Sequence, residues 1–328
     1  CERQVHLSMS LIAPVFSRRV AYPLQESLLK RPTFAYLGDL ERSQWLSHDQ
    51  IEALQRRTLA RLLGIASAHC PWHAERLAGA GLGEVTHSSE ISLDDLRRVP
   101  TMDKADAQLH GRAMRWEGAP GGAFPYNTGG SSGQPLRFMF GRWRQASDAA
   151  GRMRARRWWG VEVGEPEVYL WGAPVELSKT DLIKTVRDRL LNQLVLNAFE
   201  MSQANMDAYL DAIGRFDPVC IYGYASSIAL LAARAKQIGR LRKLARLKVV
   251  CTTGEPLFPH QRELISDVFS VPVANEFGSR DIGFTAHESP AGQMLLMSES
   301  IILEVLDPAG NPVAPGQTGE AVMTGLCS

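Results

Sequence analysis

The residues with the clearest chemical capacity form one short run of glycines and hydroxyl side chains, made up of Thr128, Gly129, Gly130, Ser131, Ser132 and Gly133. Glycines let the backbone turn successive N–H groups toward one point, and the hydroxyls add donors, as in loops that surround a phosphate. Pro135 follows, and apolar and polar residues then alternate through Phe140, which is typical of a strand. We therefore predict a strand, a phosphate-binding loop and a second strand.

Two other motifs compete for the same run. The Walker A pattern requires Lys followed by Ser or Thr after its last glycine, and Gln134 and Pro135 stand there instead. The nucleophile elbow of serine hydrolases, Gly-x-Ser-x-Gly, does match and would make Ser131 the nucleophile, but that turn must run straight into a helix. A flexible hairpin without a ligand is a third alternative, and the run alone leaves it open.

Two further loops belong to a strand-helix-strand pattern. We predict strands at 247–251 and 271–274 and a helix at 259–269, so the strands should be parallel and the loops after them should emerge at one carboxyl edge of a sheet. Ligands bind at that edge in open α/β sheets. The two loops contain Gly254, Glu255 and Pro256 in the first and Glu276, Phe277, Gly278, Ser279 and Asp281 in the second.

The second loop has side chains that suit a nucleotide. Phe277 offers an aromatic face, and Gly278 lets a ligand approach the backbone. The carboxylate of Asp281 could hold Mg²⁺, with Glu276 as the reserve ligand. Each feature alone is weak, so the prediction depends on the loops acting together.

Three aromatic residues, Trp171, Tyr222 and Tyr224, have two interpretations. They line a pocket for an aromatic acid, or they pack in the core of the protein. The residue types do not separate the two.

Helices must hold these loops in place. Ser47 and Gln50 make a capping-box pattern at the start of a helix that runs to about residue 69. Leucine and valine spaced by four predict a second helix from Leu182 to Leu194, and a third helix follows Ser202.

The end of the chain changes to β structure. Alternation after residue 292 predicts strands at 293–297, 301–306 and 320–324. We expect an α/β fold of layered β-sheets flanked by helices, with a small β region at the C-terminal end.

Composition limits the classes of protein. A length of 328 residues predicts two lobes or one domain with a large insertion. A composition of 45% hydrophobic and 22% charged residues excludes a mostly disordered chain. A net charge of +1 argues against nucleic acid or an anionic membrane as partner. Accordingly, we interpret the arginine- and tryptophan-rich stretch 142–159 as a solvated helix face rather than a base-stacking surface.

Cysteine usage and hydropathy bear on location. The five cysteines form no CxxC pair, which is typical of a reducing compartment, and no apolar stretch reaches the roughly 20 residues of a membrane span. We predict a cytoplasmic protein. His69 and His73 have a helical metal spacing that Pro71 interrupts, and His287 is predicted in a surface turn.

Three segments resemble, in this order, the core motifs of adenylate-forming ligases. They are the run 128–133, which we call the glycine-hydroxyl loop, the Gly-Glu-Pro turn at 254–256 and the Phe-Gly-Ser-Arg-Asp loop at 277–281. More narrowly, the chain resembles the phenylacetate-CoA ligase family with its capsule-biosynthesis relatives, from roughly Trp72 to Leu326. The resemblance implies the large N-terminal lobe of the acyl-CoA synthetase-like fold. It divides the chain into a helical part (1–110), a nucleotide-binding α/β core (111–290) and a terminal β subdomain (291–328), with the C-terminal lid domain absent from this sequence.

The resemblance also implies an activity and its ligands. A carboxylic acid, aromatic if the three aromatic residues line its pocket, is activated by ATP and Mg²⁺ to an acyl-adenylate, and a thiol of coenzyme A or of a carrier protein then displaces AMP. The run from Thr128 to Gly133 would hold the ATP phosphates, with Thr128 also catalytic. Gly254, Glu255 and Pro256 would line the adenine, and Phe277 would stack on it. Glu276, Gly278 and Ser279 would also bind the nucleotide, and Asp281 would be catalytic at Mg²⁺ and the α-phosphate.

Several residues depart from the family pattern. Gln134 stands where many relatives carry Lys, Phe277 replaces Tyr, and Asp281 replaces a Glu that is one methylene longer. Partners left open are a carrier protein and a second copy of the chain as a homodimer. Alternative functions are a non-catalytic module that binds AMP or acyl-adenylate, and a serine hydrolase using Ser131.

Overall fold

The computed structural model describes residues 12–128, 135–172, 181–239 and 244–327. The chain divides into two compact units, each assembled from separate stretches. Unit 1 combines the stretch up to Leu29 with Ala155–Gly278 and Ala286–Leu295. Unit 2 combines Lys30–Arg154, Ser279–Thr285 and the stretch from Leu296 onward.

The described elements up to His110 are all helices, strands and helices alternate from Arg137 to Ser279, and the elements that follow are strands. The helices are α1 (Pro14–Phe16), a π-helical turn (Ser17–Ala21), α2 (Tyr22–Leu28), α3 (Thr33–Ser43), α4 (His48–His69), α5 (Pro71–Gly79), α6 (Leu93–Arg97), α7 (Lys104–His110), α8 (Arg142–Trp158), α9 (Asp181–Leu190), α10 (Gln203–Phe216), α11 (Ala225–Gln237) and α12 (Pro259–Phe269). The strands are β1 (Ala123–Asn127), β2 (Arg137–Gly141), β3 (Glu167–Trp171), β4 (Gln193–Asn197), β5 (Cys220–Tyr224), β6 (Val249–Thr253), β7 (Val273–Ser279), β8 (Gly283–Glu288), β9 (Met294–Leu296), β10 (Ile301–Leu306) and β11 (Glu320–Gly325). Among the described residues, no helix combines the length and apolarity that crossing a bilayer requires.

A seven-stranded sheet has the order β4-β3-β5-β6-β7-β8-β9. The pairs from β4 to β7 are parallel, as predicted for β6 and β7, so the carboxyl ends of these strands share one edge. The strands β6 and β7 reach further than predicted, to Thr253 and Ser279, so most of the second predicted loop is strand. The helix between them matches the prediction at both ends.

Both faces of the sheet pack against buried apolar side chains, but they differ in the residues that they carry. Val168, Ile221 and Val250 are fully buried in a cluster that includes side chains of α10, α11 and α12. Burial of each such side chain contributes about 1.5–3 kcal/mol. On the opposite face, Tyr169 and Tyr222 lie in a second cluster.

Unit 2 is built on α4 and two antiparallel strand pairs, β1 with β2 and β10 with β11. The predicted capping box is present, since Gln50 N donates to Ser47 Oγ and Ser47 N donates to Gln50 Oε1. Leu59 of α4, Leu77 of α5 and Ile302 of β10 lie in one buried cluster.

The predicted helix across Leu182–Leu194 is wrong in its last four residues. The helix α9 ends at Leu190, and Leu194 lies in β4. Asn192 takes a left-handed backbone conformation at φ 54°, and its side-chain amide donates to the carbonyl oxygens of Ile12 and Gly164. These distant contacts end the helix, and the four-residue spacing does not reveal them.

The interpretation of 142–159 as a solvated helix face is also wrong for three arginines. Arg144, Arg154 and Arg156 are nearly inaccessible to solvent. Each has a carboxylate partner, which a buried charge requires, and these partners are Asp148, Glu299 and Glu167 respectively.

Candidate active site

Two hydrogen bonds join the ends of the glycine-hydroxyl loop. Thr128 N donates to Leu136 O at 3.0 Å, and Leu136 N donates to Thr128 Oγ1 at 3.0 Å. They extend the β1–β2 pair by one step beyond Asn127 and Arg137. The predicted phosphate-binding residues between these ends, Gly129, Gly130, Ser131, Ser132 and Gly133, lie outside the described residues.

The strands that flank the loop bear on the serine-hydrolase alternative. The described chain resumes at Pro135, and β2 begins two residues later at Arg137. The next helix, α8, begins only at Arg142. A nucleophile elbow needs a strand-to-helix turn. Because a strand follows where the described chain resumes at residue 135, the arrangement favours the phosphate-loop prediction over the elbow.

The turn that carries Asp281 contacts the strand that leads into the loop. Arg280 Nη1 donates to Asn127 O at 3.3 Å, and its guanidinium carbon lies 5.6 Å from the centroid of the Tyr126 ring. Ser279 Oγ donates to Asp281 Oδ1 at 2.5 Å, and Asp281 is exposed. Two motifs that are distant in sequence thus meet within unit 2.

A glycine and a buried arginine fix the position of this turn. Gly283 has φ 97°, and a Cβ there would fall within the guanidinium group of Arg144. Arg144 pairs with Asp148, whose Oδ1 accepts from Phe284 N at 2.9 Å. The same guanidinium lies 5.1 Å from the ring centroid of Phe140 in β2. One side chain on α8 therefore contacts both the loop hairpin and the start of β8.

In unit 1, aromatic side chains gather at the carboxyl ends of β3, β4 and β5. The rings of Trp171 and Tyr224 are parallel with centroids 4.6 Å apart, and Trp171 stacks on Tyr222 at 5.7 Å. Phe199, which follows β4 and is exposed, meets the edge of Tyr224. Tyr222 is buried, so packing accounts for it, whereas an acid-binding role for these rings stays a prediction.

The Gly-Glu-Pro turn lies at the same edge. Gly254 has φ 78°, and a Cβ there would be 3.0 Å from the Tyr224 ring, so a side chain is disfavoured by conformation and would crowd this ring. The carboxylate of Glu255 accepts from Ser226 N at the start of α11. Pro256 follows directly and leads toward α12.

The residues at the end of β7 differ in exposure. The side chain of Phe277 is 47% exposed, which leaves its ring accessible for stacking, and Gly278 separates it from the Asp281 turn. Glu276 is buried, and its Oε1 accepts from Tyr222 Oη at 2.8 Å and from Thr253 Oγ1 at 3.1 Å.

The exposure and hydrogen bonds of Asp281 and Glu276 distinguish them as candidate Mg²⁺ ligands. No group of three or more ligating side chains occurs in the described part of the chain. Magnesium commonly takes only one or two protein carboxylates and completes its shell with phosphate oxygens and water. The exposed carboxylate of Asp281 fits such a site, and the buried Glu276, which already accepts two hydroxyls, fits it less well.

The buried thiol of Cys251 in β6 and the buried imidazole of His287 in β8 interact, and the sequence prediction missed this pair. His287, predicted in a surface turn, is buried in β8. Cys220 Sγ lies 3.9 Å from Cys251 Sγ, and this contact, with a hydrogen bond to His287, lowers the pKa of Cys251 to about 5. Burial lowers the pKa of His287, but the hydrogen bond and charge of Cys251, the charge of Glu276 and the hydrogen bond to the Glu288 backbone together raise it above the ordinary value. No local sequence signal links residues on separate strands.

No protein-family model and no curated protein sequence matches the chain. Solved structures do match. The chain is 22% identical to 2-hydroxyisobutyryl-CoA ligase in complex with 2-HIB-AMP and CoA in the thioesterification state, with a TM-score of 0.66, covering 86% of this chain and 61% of that one. The postadenylation state of the same ligase with R3-HIB-AMP gives 22% identity and a TM-score of 0.65 over 86% and 60% of the two chains.

An open conformation of that ligase with 2-HIB-AMP and CoA also matches, at 22% identity and a TM-score of 0.63 over 84% of this chain and 65% of the other. The chain thus spans less than two thirds of the ligase's length. The fold is the mixed α/β fold of the N-terminal lobe of acyl-CoA synthetase-like ligases, and the predicted fold class is confirmed.

Proposed function

We propose that this chain is the nucleotide-binding lobe of an adenylate-forming acid-thiol ligase of the phenylacetate-CoA ligase type. It activates a carboxylic acid with ATP to an acyl-adenylate, releases pyrophosphate, and passes the acyl group to a thiol such as that of coenzyme A. The observation that carries the proposal is the contact of the Asp281 turn with the strand that enters the glycine-hydroxyl loop. The fold supports it, because a ligase with the same fold binds an acyl-adenylate and CoA.

Charge explains why such a reaction needs these residues. A carboxylate and a triphosphate repel each other, so the charge that develops at the α-phosphorus must be neutralised by oriented donors and a metal. Backbone N–H groups of residues 128–133 and the Thr128 hydroxyl are the donors. When bound, Mg²⁺ neutralises phosphate charge, and Asp281 is the residue that holds it.

The remaining residues bind and orient. Phe277 stacks on the adenine, and the turn of Gly254, Glu255 and Pro256 lines the base. A side chain in place of Gly254 would meet Tyr224. Trp171 and Tyr224 present rings that suit a flat acid, and the buried Tyr222 stacks on Trp171, so an aromatic acid is the proposed substrate class.

The test is acid-dependent release of pyrophosphate from ATP, with a panel of aromatic and aliphatic acids. Release with one acid class and formation of the matching acyl-AMP is the expected result. ATP binding without release for any acid, also when a lid domain is supplied, favours the binding-module alternative. Covalent labelling of Ser131 by a fluorophosphonate that ATP does not block favours the hydrolase.

A further inference from the structure

We propose that Arg144 is a positioning residue, which acts with Asp148 to hold the Asp281 carboxylate where it binds Mg²⁺ together with the nucleotide. The inference rests on the proposed ATP-dependent function and deepens it. Arg144 and Asp148 both lie in the arginine- and tryptophan-rich stretch 142–159, whose sequence indicates no such role.

Magnesium makes strict demands on its ligands. It takes near-octahedral geometry with bonds of about 2.0–2.1 Å, so a carboxylate that binds it must be held in place. Asp281 is exposed and lies in the turn between β7 and β8. Its Oδ1 accepts from Ser279 Oγ at 2.5 Å, a contact that orients the carboxylate within the turn but does not fix the turn itself. Support for the backbone must therefore come from another element.

One face of α8 supplies that support. Arg144, Asp148 and Gly151 are spaced by four and three residues, so they lie on the same side of the helix. Asp148 Oδ1 accepts from Phe284 N at 2.9 Å. The buried ring of Phe284 lies so close to Gly151 that a Cβ there would be 2.7 Å from it. The start of β8, three residues after Asp281, is thus fixed on α8.

Arg144 lies against the first residue of β8. It is buried, it pairs with Asp148, and its guanidinium is so close to Gly283 that a Cβ there would overlap it. Gly283 is only two residues from Asp281 in sequence. Because the ion pair also orients the Asp148 carboxylate toward Phe284 N, loss of Arg144 loosens both contacts between α8 and the turn.

A purely structural role for this buried ion pair is the competing explanation. The dissociation constant for ATP is measured by calorimetry with excess Mg²⁺ and with a chelator, and the ratio of the two values is the Mg²⁺ gain. The variants are Arg144→Met, Arg144→Lys, Asp281→Ala and the double variant of Arg144→Met with Asp281→Ala. Arg154→Met is the matched control, because Arg154 is a buried arginine of the same helix whose partner is Glu299. Free energies of unfolding in urea report how far each variant is destabilised.

We expect Arg144→Met to lower the Mg²⁺ gain about 10- to 100-fold, as for other residues that orient a metal ligand, and Arg144→Lys to lower it by a smaller factor. Arg154→Met should lower the free energy of unfolding and keep the wild-type gain. In the Asp281→Ala background, Arg144→Met should cause no further loss of gain, because both changes act through one carboxylate.

An unchanged gain in folded Arg144→Lys overturns the inference. So does an equal loss of gain in Arg154→Met, or an additive loss in the double variant. These outcomes leave ATP binding by the wild type intact. A wild type that does not bind ATP, or binds it without any Mg²⁺ gain, refutes the proposed function instead.

Discussion

Two carboxylates near the end of β7 have different environments and, we infer, different tasks. Glu276 is buried and accepts hydrogen bonds from Tyr222 and Thr253, so it fixes the position of the Tyr222 ring. Asp281 is exposed and adjoins the strand that enters the glycine-hydroxyl loop through its neighbour Arg280. The sequence named both as metal candidates, and only their burial distinguishes them.

Asp281→Ala is expected to remove most of the Mg²⁺-dependent part of the thermal stabilisation by ATP, because the carboxylate that we propose as the metal ligand is lost. The shift in melting temperature with ATP is measured with Mg²⁺ and with a chelator. Asp94→Ala, which removes an exposed carboxylate of α6, is the control. An unchanged Mg²⁺ effect in Asp281→Ala contradicts the assigned role.

Cys251 provides a second residue-scale prediction, on pH. Its pKa is lowered from 9.0 to about 5, so the folded state binds fewer protons than the unfolded chain between these values. The resulting stability is present above the ordinary thiol pKa and is lost as the pH falls through about 5.

The measurement is the ultraviolet absorbance of the thiolate during a pH titration of the folded protein. We expect a midpoint near 5 that disappears in Cys251→Ser and persists in Cys70→Ser, since burial raises the pKa of Cys70. A midpoint at or above the ordinary thiol value contradicts the thiolate.

At the scale of elements, the turn between β7 and β8 depends on one glycine. We expect Gly283→Ala to destabilise the protein by about 1–3 kcal/mol from backbone strain, with a further cost because the methyl group meets Arg144. Free energies of unfolding in urea provide the measurement. Gly292→Ala is a matched control, because Gly292 has φ 76° with no atom near its Cβ position.

Equal losses in the two glycine variants would mean that Arg144 yields freely. That outcome would also remove the argument that α8 fixes the Asp281 turn. A larger loss in Gly283→Ala supports it.

Local signals predicted some elements well and others poorly. The capping box at Ser47 and the helix after Pro259 depend on nearby residues, and both are confirmed. The end of α9 depends on Asn192, whose side chain bonds Ile12 and Gly164. Hydrophobic spacing carries no information about such distant partners, so the helix was extended too far.

At the scale of the whole molecule, each unit is assembled from distant stretches of sequence. The motifs identified the loops, but the burial of Arg144 and the pairing of Cys251 with His287 follow only from tertiary packing. The division into segments 1–110, 111–290 and 291–328 stays a prediction, as do the roles of the individual site residues.

A buried ion pair ties unit 2 together across its separate stretches. Arg154 Nη1 lies 2.5 Å from Glu299 Oε1, which also accepts from Ser43 Oγ at 2.6 Å. Glu299→Gln leaves a buried arginine without its counter-charge, so we expect a loss of about 3–5 kcal/mol in the free energy of unfolding. The exposed pair of Asp39 and Arg42 is the control, where Asp39→Asn should cost at most about 1 kcal/mol. Similar losses for the two variants would contradict the prediction.

The first helical stretch has a practical consequence for expression. Tyr22 Oη accepts from Gln193 Nε2 at 2.8 Å, and Gly164 is so close to the backbone at Arg18 and Pro14 that a methyl group would not fit. A protein that begins at Lys30 would therefore lose the contacts of residues 14–22 with Gln193 of β4 and with Gly164. A shortened protein of this kind should be recovered mainly as aggregates, and an affinity tag is better placed so that this stretch is kept whole.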